Sequence, residues 1–414
     1  MTQVAPRPTP APEPRVDGLA ARVRLGRVFR PVSTEFALIA STSLLLTVFG
    51  LVMILSASSA NAVDQGQGPF SIVLTQALVA AIGVPLMFLM SRFPVQFWKR
   101  TAWLVLILSV GLQMLVYTPL GYENDGNTNW LKIGSQVIQP SEFIKLALAV
   151  WAGFILWRKQ ELLGRWKHVF IPLIPVGFLA IAAVLGGKDL GTSMVLFLII
   201  LGALFFSGVR LRLFILPLLI SVVAVLGFAF ADERRRSLIL GVFDHSNDTS
   251  CYLTTCYQQV HAIWGMANGG IFGVGLGNSR EKYGWLPAAS NDYIFAIVGE
   301  ELGLIGCALV LALFVLFAVA VFRMIRRTDD LFVRITSGGI VVWILSQALI
   351  NIGVVLRIFP VLGVPLPFMS QGGTSLLSVL LACGVLLSFA RTLPAPAPAA
   401  ALSRPAGRSG SLGK

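Results

Sequence analysis

Charge is what this chain is short of. Asp, Glu, Lys and Arg make up 12% of its 414 residues, about half the share of an ordinary globular domain. Histidine and cysteine are scarce too, with three and four residues, and no metal-ligand spacing emerges from them. Cys307 and Cys383 fall inside apolar runs and read as packing residues. Cys251 and Cys256 lie in a long polar stretch, where a disulfide and a free pair are both open. The first thirty residues hold no apolar core of the kind a cleavable signal peptide needs. No internal repeat is visible, which argues against the repeated halves common in transporters.

What is present in quantity is apolar sequence, 56% of the chain. It falls in blocks of roughly 17–25 residues, the length needed to cross a bilayer as a helix. Backbone groups in lipid must be satisfied internally, and the blocks are too long for barrel strands, so the spans are helices. The fold class is therefore an all-α polytopic membrane protein. Ten spans are expected at about 36–57, 69–90, 101–117, 140–156, 169–185, 191–206, 213–231, 292–322, 335–355 and 373–390. Residues 1–34, Pro-rich and then Arg-rich, and the Pro/Ala/Ser/Gly-rich 392–414 read as disordered tails around a membrane domain at 35–391.

The net charge of +13 does not point to nucleic acid, because the excess sits in tails and short connections, as the orientation rule for membrane proteins requires. Arg92, Lys99, Arg100, Arg158, Lys159, Arg165, Lys167, Arg210, Arg212, Arg323, Arg326, Arg327 and Arg334 cluster on one side. That side and both termini are expected to be cytoplasmic. The long connection 232–291 faces out and carries Arg234, Arg235, Arg236, Arg280 and Lys282; it is either a solvated basic loop or a cationic site for phosphate.

Ionisable residues within spans are costly and mark function by default. Here they are Glu142 and Lys145 in the fourth span and Glu300 and Glu301 in the eighth, with Asp189 and Asp292 at span ends. All fall towards the outer side, as do Gln76, Gln113, Gln347 and Asn351. This asymmetry suggests a site opening to the outer leaflet rather than a path across. Glu142 and Lys145, three apart, share a helix face and should pair. Glu300 and Glu301 are placed roughly 12–14 Å below Asp292 by helical rise. They point about 100° apart, so one of them is expected to be structural.

Several segments together resemble the SEDS family of polytopic cell-wall proteins, the division branch more than the elongation branch. They are Phe49–Ser58, Gln139–Lys145, Asp189–Thr192, Gly269–Ser279, Leu286-Pro287 with Asp292, Gly299–Gly303, Asn351–Val355 and Pro365–Ser375. The resemblance covers about residues 36–391. It implies ten spans with both termini inside, and a peptidoglycan glycosyltransferase that polymerises lipid II at the outer face of a bacterial plasma membrane. Its implied partners are a class B penicillin-binding protein, other division proteins at the septum and membrane lipid. Its essential aspartate maps onto Asp292, and its loop arginines map most closely onto Arg235 or Arg236. Arg280, Lys282, Glu142, Lys145, Asp189, Ser370 and Gln371 are the other candidate substrate contacts. Ala288 stands where the family usually has Glu, Asn291-Asp292-Tyr293 where it has Thr-Asp-Phe, and Gln371 where it has Tyr.

The chemistry fits the composition. Inverting transfer from an α-linked pyrophosphate needs one base on the acceptor hydroxyl, and unlike ordinary glycoside hydrolysis it needs no second carboxyl as acid. Pyrophosphate leaves well if cations receive it: Arg, Lys or a divalent metal such as Mg2+. One outer carboxylate amid outer cations is that set, with Asp292 as base and Arg235, Arg236 and Lys282 as the clamp. A lipid II flippase and a non-catalytic division scaffold are the competing readings.

Overall fold

The computed structural model describes residues 33–210 and 256–393, apart from six turn positions (65, 67, 69, 125, 126 and 135), and a few isolated positions between 211 and 255. Helices α1 (Thr34–Asp64), α2 (Ser71–Met90) and α3 (Val95–Met114) come first. A three-stranded antiparallel sheet follows, of β1 (Gly121–Asn124), β2 (Asn127–Ile133) and β3 (Gln136–Ile138). Then come α4 (Ser141–Arg158), α5 (Trp166–Leu185), α6 (Leu190–Phe206), α7 (Tyr257–Gly269), α8 (Ile294–Arg327), α9 (Leu331–Val355) and α10 (Gly373–Ala390). Among the described residues, seven helices are long and apolar enough to cross a membrane. The seventh expected span, 213–231, lies almost wholly outside the described residues.

The packing is that of a multi-pass membrane protein, with an apolar interior and an apolar outer surface as well. α4 sits at the centre, buried along most of its length and packed against α3, α5, α6, α9 and α10. The flanks of α2, α3, α5 and α8 leave Leu, Ile and Phe side chains uncovered, a surface that water would penalise and lipid accepts. Pro85 in α2 and Pro172 and Pro175 in α5 lie inside helices, which membrane helices tolerate.

The all-α expectation is corrected by the sheet. Thr118 to Ile138 reads as a polar connection in sequence, because strand pairing between β1 and β2 is set by partners such as Tyr122 and Trp130 rather than by local hydropathy. The sheet is bolted to the far end of α5. Thr128 N–H and Asn129 Nδ2 both donate to the Gly187 carbonyl, at 3.0 and 2.8 Å. Gln113 Nε2 donates to Asn129 Oδ1 at 3.1 Å. Tyr117 donates to the Ala183 carbonyl.

One end of the bundle is stapled by ion pairs. Lys99 Nζ meets Asp330 Oδ2 at 2.8 Å and lies over the Trp157 ring, tying α3 to α9 and α4. Buried Glu35 accepts from Arg327 Nη1 at 2.8 and 2.9 Å and faces Arg323 at 3.8 Å, tying α1 to α8. This basic end gives two rulers. From Glu35 to Ser56 along α1, and from Asp330 to Asn351 along α9, the chain advances 21 residues, about 32 Å of helix. That is close to the hydrocarbon thickness of about 30 Å.

Ser56 touches Glu301, and Asn351 touches the Asp292 backbone, so Asp292 and Glu301 stand at the same height. A straight helix would separate them by about 13 Å. α8 is broken at Gly303 (φ 67°, ψ −163°), beyond both residues, which sets its first segment, Ile294–Leu302, apart from the rest of the helix. The expectation of one continuous span from 292 to 322 is corrected accordingly.

A broken helix exposes backbone groups that lipid cannot satisfy. Here the glycine-rich segment after α7 supplies the missing partners. Val274 and Gly275 N–H donate to the Glu300 and Glu301 carbonyls at 3.0 Å each. Leu304 and Ile305 N–H donate to the Gly270 and Ile271 carbonyls at 2.9 and 3.3 Å. A Cβ on Gly273 (φ 79°) would collide with the Glu301 carbonyl, and one on Gly303 with the Ile271 carbonyl. Gly273→Ala should therefore lower stability by about 2 kcal/mol or more. Gly66→Ala, also at positive φ but in open space, should cost about 1 kcal/mol. Unfolding of the two variants in detergent compares them.

Candidate active site

The site lies at the end opposite the ion-pair staples, where α4, α6, α8 and α9 meet the loop 362–372. Its floor is a saturated polar network. Lys145 Nζ donates to Glu142 Oε1 at 2.7 Å and Gln347 Oε1 at 2.9 Å, and packs over Trp343. Ser378 donates to Glu142 Oε2 at 3.0 Å, and Gln347 Nε2 to the Pro365 carbonyl at 2.8 Å. The expected Glu142–Lys145 pair is present, yet Glu142 is 0% and Lys145 1% exposed. Both hold helices together beneath the site, where a pair half removed would be far costlier than a pair kept.

Above this floor sit two carboxylates. Asp189 caps α6, accepting Thr192 N–H at 2.8 Å on Oδ1 and Gln139 Nε2 at 3.2 Å on Oδ2. Asp292 precedes α8, and its backbone is fixed on both sides. Asn351 Nδ2 donates to its carbonyl at 2.7 Å and to Val364 O at 2.8 Å, and Ser370 donates to Asn291 O at 2.6 Å. Gln371 N–H donates to Ser290 O at 2.9 Å, and Ser290 donates back to Gln371 Oε1 at 2.6 Å. The loop 362–364 lies between the acids: a Cβ on Gly363 would sit 3.9 Å from Asp292 Oδ2, and one on Gly191 would meet Leu362 O.

The Asp292 side chain itself accepts no hydrogen bond among the described residues, though it remains partly exposed. Burial, and then the negative charge of Asp189, push its carboxyl up from 3.8 to about 6. Burial also raises Asp189, opposed chiefly by its hydrogen bonds to Thr192. A rigidly held carboxylate with free lone pairs and a raised pKa is a proton acceptor of better than ordinary strength.

Ser370 and Gln371 act as struts for Ser290 and Asn291. Lys282 is the clearest correction. It is 2% exposed, with Nζ 3.1 Å from Glu301 Oε1, 2.7 Å from Gly277 O and 3.3 Å from Ser56 Oγ. Its charge is paired inside the protein with Glu301, an arrangement that argues for a structural role over an external phosphate. Both glutamates, not one, are structural: Glu300 takes Asn268 Nδ2 at 3.2 Å, the Ser279 hydroxyl and Arg280 N–H at 2.9 Å, and Glu301 takes Ser56 and Lys282.

Of the expected outer cations, Arg280 and Arg236 are exposed, and Arg234 and Arg235 lie outside the described residues. Cys256 is disulfide-bonded, and Cys251 lies outside the described residues. Among the described residues no group of three or more His, Cys, Asp or Glu is arranged to hold a metal. Asn351, Gln139 and Gly363 join the site beyond the candidate residues of the sequence, where Asn351 and Gln139 stand only within family-like segments and Asn351 also at an outer-half position.

The fold and site define a polytopic helical membrane protein with a recessed carboxylate at one membrane boundary. By sequence, the chain belongs to the FtsW/RodA/SpoVE family of cell cycle proteins, whose model matches residues 36–394. The "Probable peptidoglycan glycosyltransferase FtsW" of Mycobacterium tuberculosis is 35% identical over 374 residues, covering 90% of this chain and 71% of that protein. Stage V sporulation protein E of Bacillus subtilis is 34% identical over 363 residues, covering 87% and 98%. Among solved structures, the rod shape determining protein RodA of Thermus thermophilus superposes with a TM-score of 0.62 at 22% identity, over 85% of this chain and 95% of that one. A chain from a peptidoglycan synthase complex that coordinates polymerization and crosslinking gives 0.69 at 22% identity, over 85% and 96%.

Proposed function

We propose that this protein is a peptidoglycan glycosyltransferase that polymerises lipid II at the outer face of the bacterial plasma membrane, in FtsW-like septal synthesis with a class B penicillin-binding protein. The observation that carries it is the Asp292 carboxylate, free of hydrogen bonds among the described residues and raised by burial and Asp189. Family membership and the names of the relatives support the substrate class. We read the basic, stapled end as the cytoplasmic side, and its concentration of Lys and Arg supports a topology with both termini inside and the site outside.

In this reading the acceptor 4-hydroxyl gives its proton to Asp292 as its oxygen attacks the donor anomeric carbon from the face opposite pyrophosphate. The carbon–oxygen bond to pyrophosphate breaks, the electron pair leaves with undecaprenyl pyrophosphate, and the α-linkage becomes β-1,4. Exposed Arg236 and Arg280, with Arg235, are the proposed pyrophosphate clamp. Asp189 keeps the base strong, and Glu142 and Lys145 hold its footing.

Purified protein with its penicillin-binding partner and lipid II is expected to yield lysozyme-sensitive polymer, and no polymer would overturn the reading. Because Asp292 must be ionised, the rate should fall below pH of about 6, by about tenfold for each further unit. Asp189→Asn keeps a helix cap but removes the repelling charge. Its acid limb should move to lower pH and its plateau rate should drop, and an unmoved limb would show that Asp189 does not tune the base.

A further inference from the structure

Residues 257–279 contain no Asp, Glu, Lys or Arg, an unusual run for a water-exposed connection and too short and glycine-broken to span a bilayer. α7 starts beside the α9 end, where Gln259 Nε2 donates to Val354 O at 3.1 Å and Phe359 O at 2.8 Å. It finishes with Gly269 against the Gly299 and Glu300 backbone. The segment beyond it stitches the α8 break, which the two helix rulers place at the hydrocarbon boundary. His261, Ala262 and Gly265 face inward and are buried. Phe272 is 80% exposed, and Ile271, Leu276, Tyr283 and Trp285 are more than half exposed.

This apolar face is continuous with lipid-facing α8, because Leu304 and Ile305, both exposed, are bonded to the backbone of Gly270 and Ile271. Aromatic residues with a cation beside them are the composition of a membrane-interface anchor, and Arg280 is exposed within the same segment.

We propose that residues 263–285 form a docking surface for the acyl chains of the bilayer leaflet at the Asp292 end, with Phe272, Ile271 and Leu276 inserted and Tyr283, Trp285 and Arg280 at the headgroups. The seat has a consequence for the site. Ser279 and Lys282, on the same segment, grip Glu300 and Glu301 at the far end of the short helix that begins beside Asp292. Lipid contact thereby fixes the height of Asp292 above the membrane. The lipid contact itself does not rest on the reaction proposed above.

The test uses the full chain in phosphatidylethanolamine/phosphatidylglycerol nanodiscs. Phe272→Cys and Leu276→Cys are made with Cys307 and Cys383 replaced by Ala, and spin-labelled. Collisions with oxygen are then compared with collisions with a water-soluble nickel chelate. Both labels should favour oxygen, as a label at lipid-facing Phe178 does, and not nickel, as a label at exposed Arg165 does. Nickel-accessible labels would overturn the proposal. So would labels protected only once a class B penicillin-binding protein is added, which would make the face a protein interface. Should the cysteine variants misfold, quenching of wild-type tryptophan by brominated lipid should weaken in Trp285→Phe, and unchanged quenching counts against the seat. The depth readout needs no catalysis, so a chain inactive on lipid II leaves it standing.

Discussion

Asp292→Asn should reduce lipid II polymerisation by about a hundredfold to ten-thousandfold, the range that a positioned general base supplies, while leaving the protein folded. The folding half of this expectation follows from the site. Asp292 is held through its backbone by Asn351, and its side chain accepts no hydrogen bond among the described residues. Replacing a carboxylate that burial and Asp189 already disfavour removes a repulsion and breaks no bond. Loss of activity with unchanged or improved thermal stability is therefore the signature of a base, whereas equal loss of both would make Asp292 a structural residue. Asn351→Ala separates the two roles from the other side. It should lower activity by releasing the Asp292 backbone and should cost stability as well.

Lys282→Met should be strongly destabilising, by about 3–5 kcal/mol, because it leaves the Glu301 charge buried without its cation. Glu301→Gln in the same chain should recover much of that loss, since the glutamine carries no charge and can still accept from Ser56. Thermal unfolding of the single and double variants measures this coupling directly. A Lys282→Met protein as stable as the wild type, but weaker towards lipid II, would return Lys282 to the pyrophosphate clamp that the sequence suggested.

That reversal shows where sequence reading stops. The helices were legible because lipid imposes length and hydropathy on each segment separately, and the carboxylate at the head of α8 was legible because charge is rare there. The Glu142–Lys145 pair was legible because three residues on a helix is a local distance. The Gly303 break was not, since Gly-Glu-Glu-Leu-Gly has helical neighbours on both sides and only the Gly270–Gly275 segment, distant in space until folded, makes the break affordable. Lys282 looked like any exposed loop cation, and nothing local announces Glu301 as its partner. The approach of Asp189 to Asp292 through the loop 362–364, and the sheet that fixes Gly187 beside it, likewise depend on contacts between far segments.

The central claim is that the carboxylate at the outer boundary makes glycan strands and does not serve a passage across the membrane. Proteoliposomes carrying fluorescent lipid II, the purified chain and a class B penicillin-binding protein test it most directly, scored for glycan ladders and for transbilayer movement in one sample. Lysozyme-sensitive ladders are expected from the wild type, none from Asp292→Asn, and no movement from either. Transbilayer movement without ladders, lost in Asp292→Asn, would contradict it.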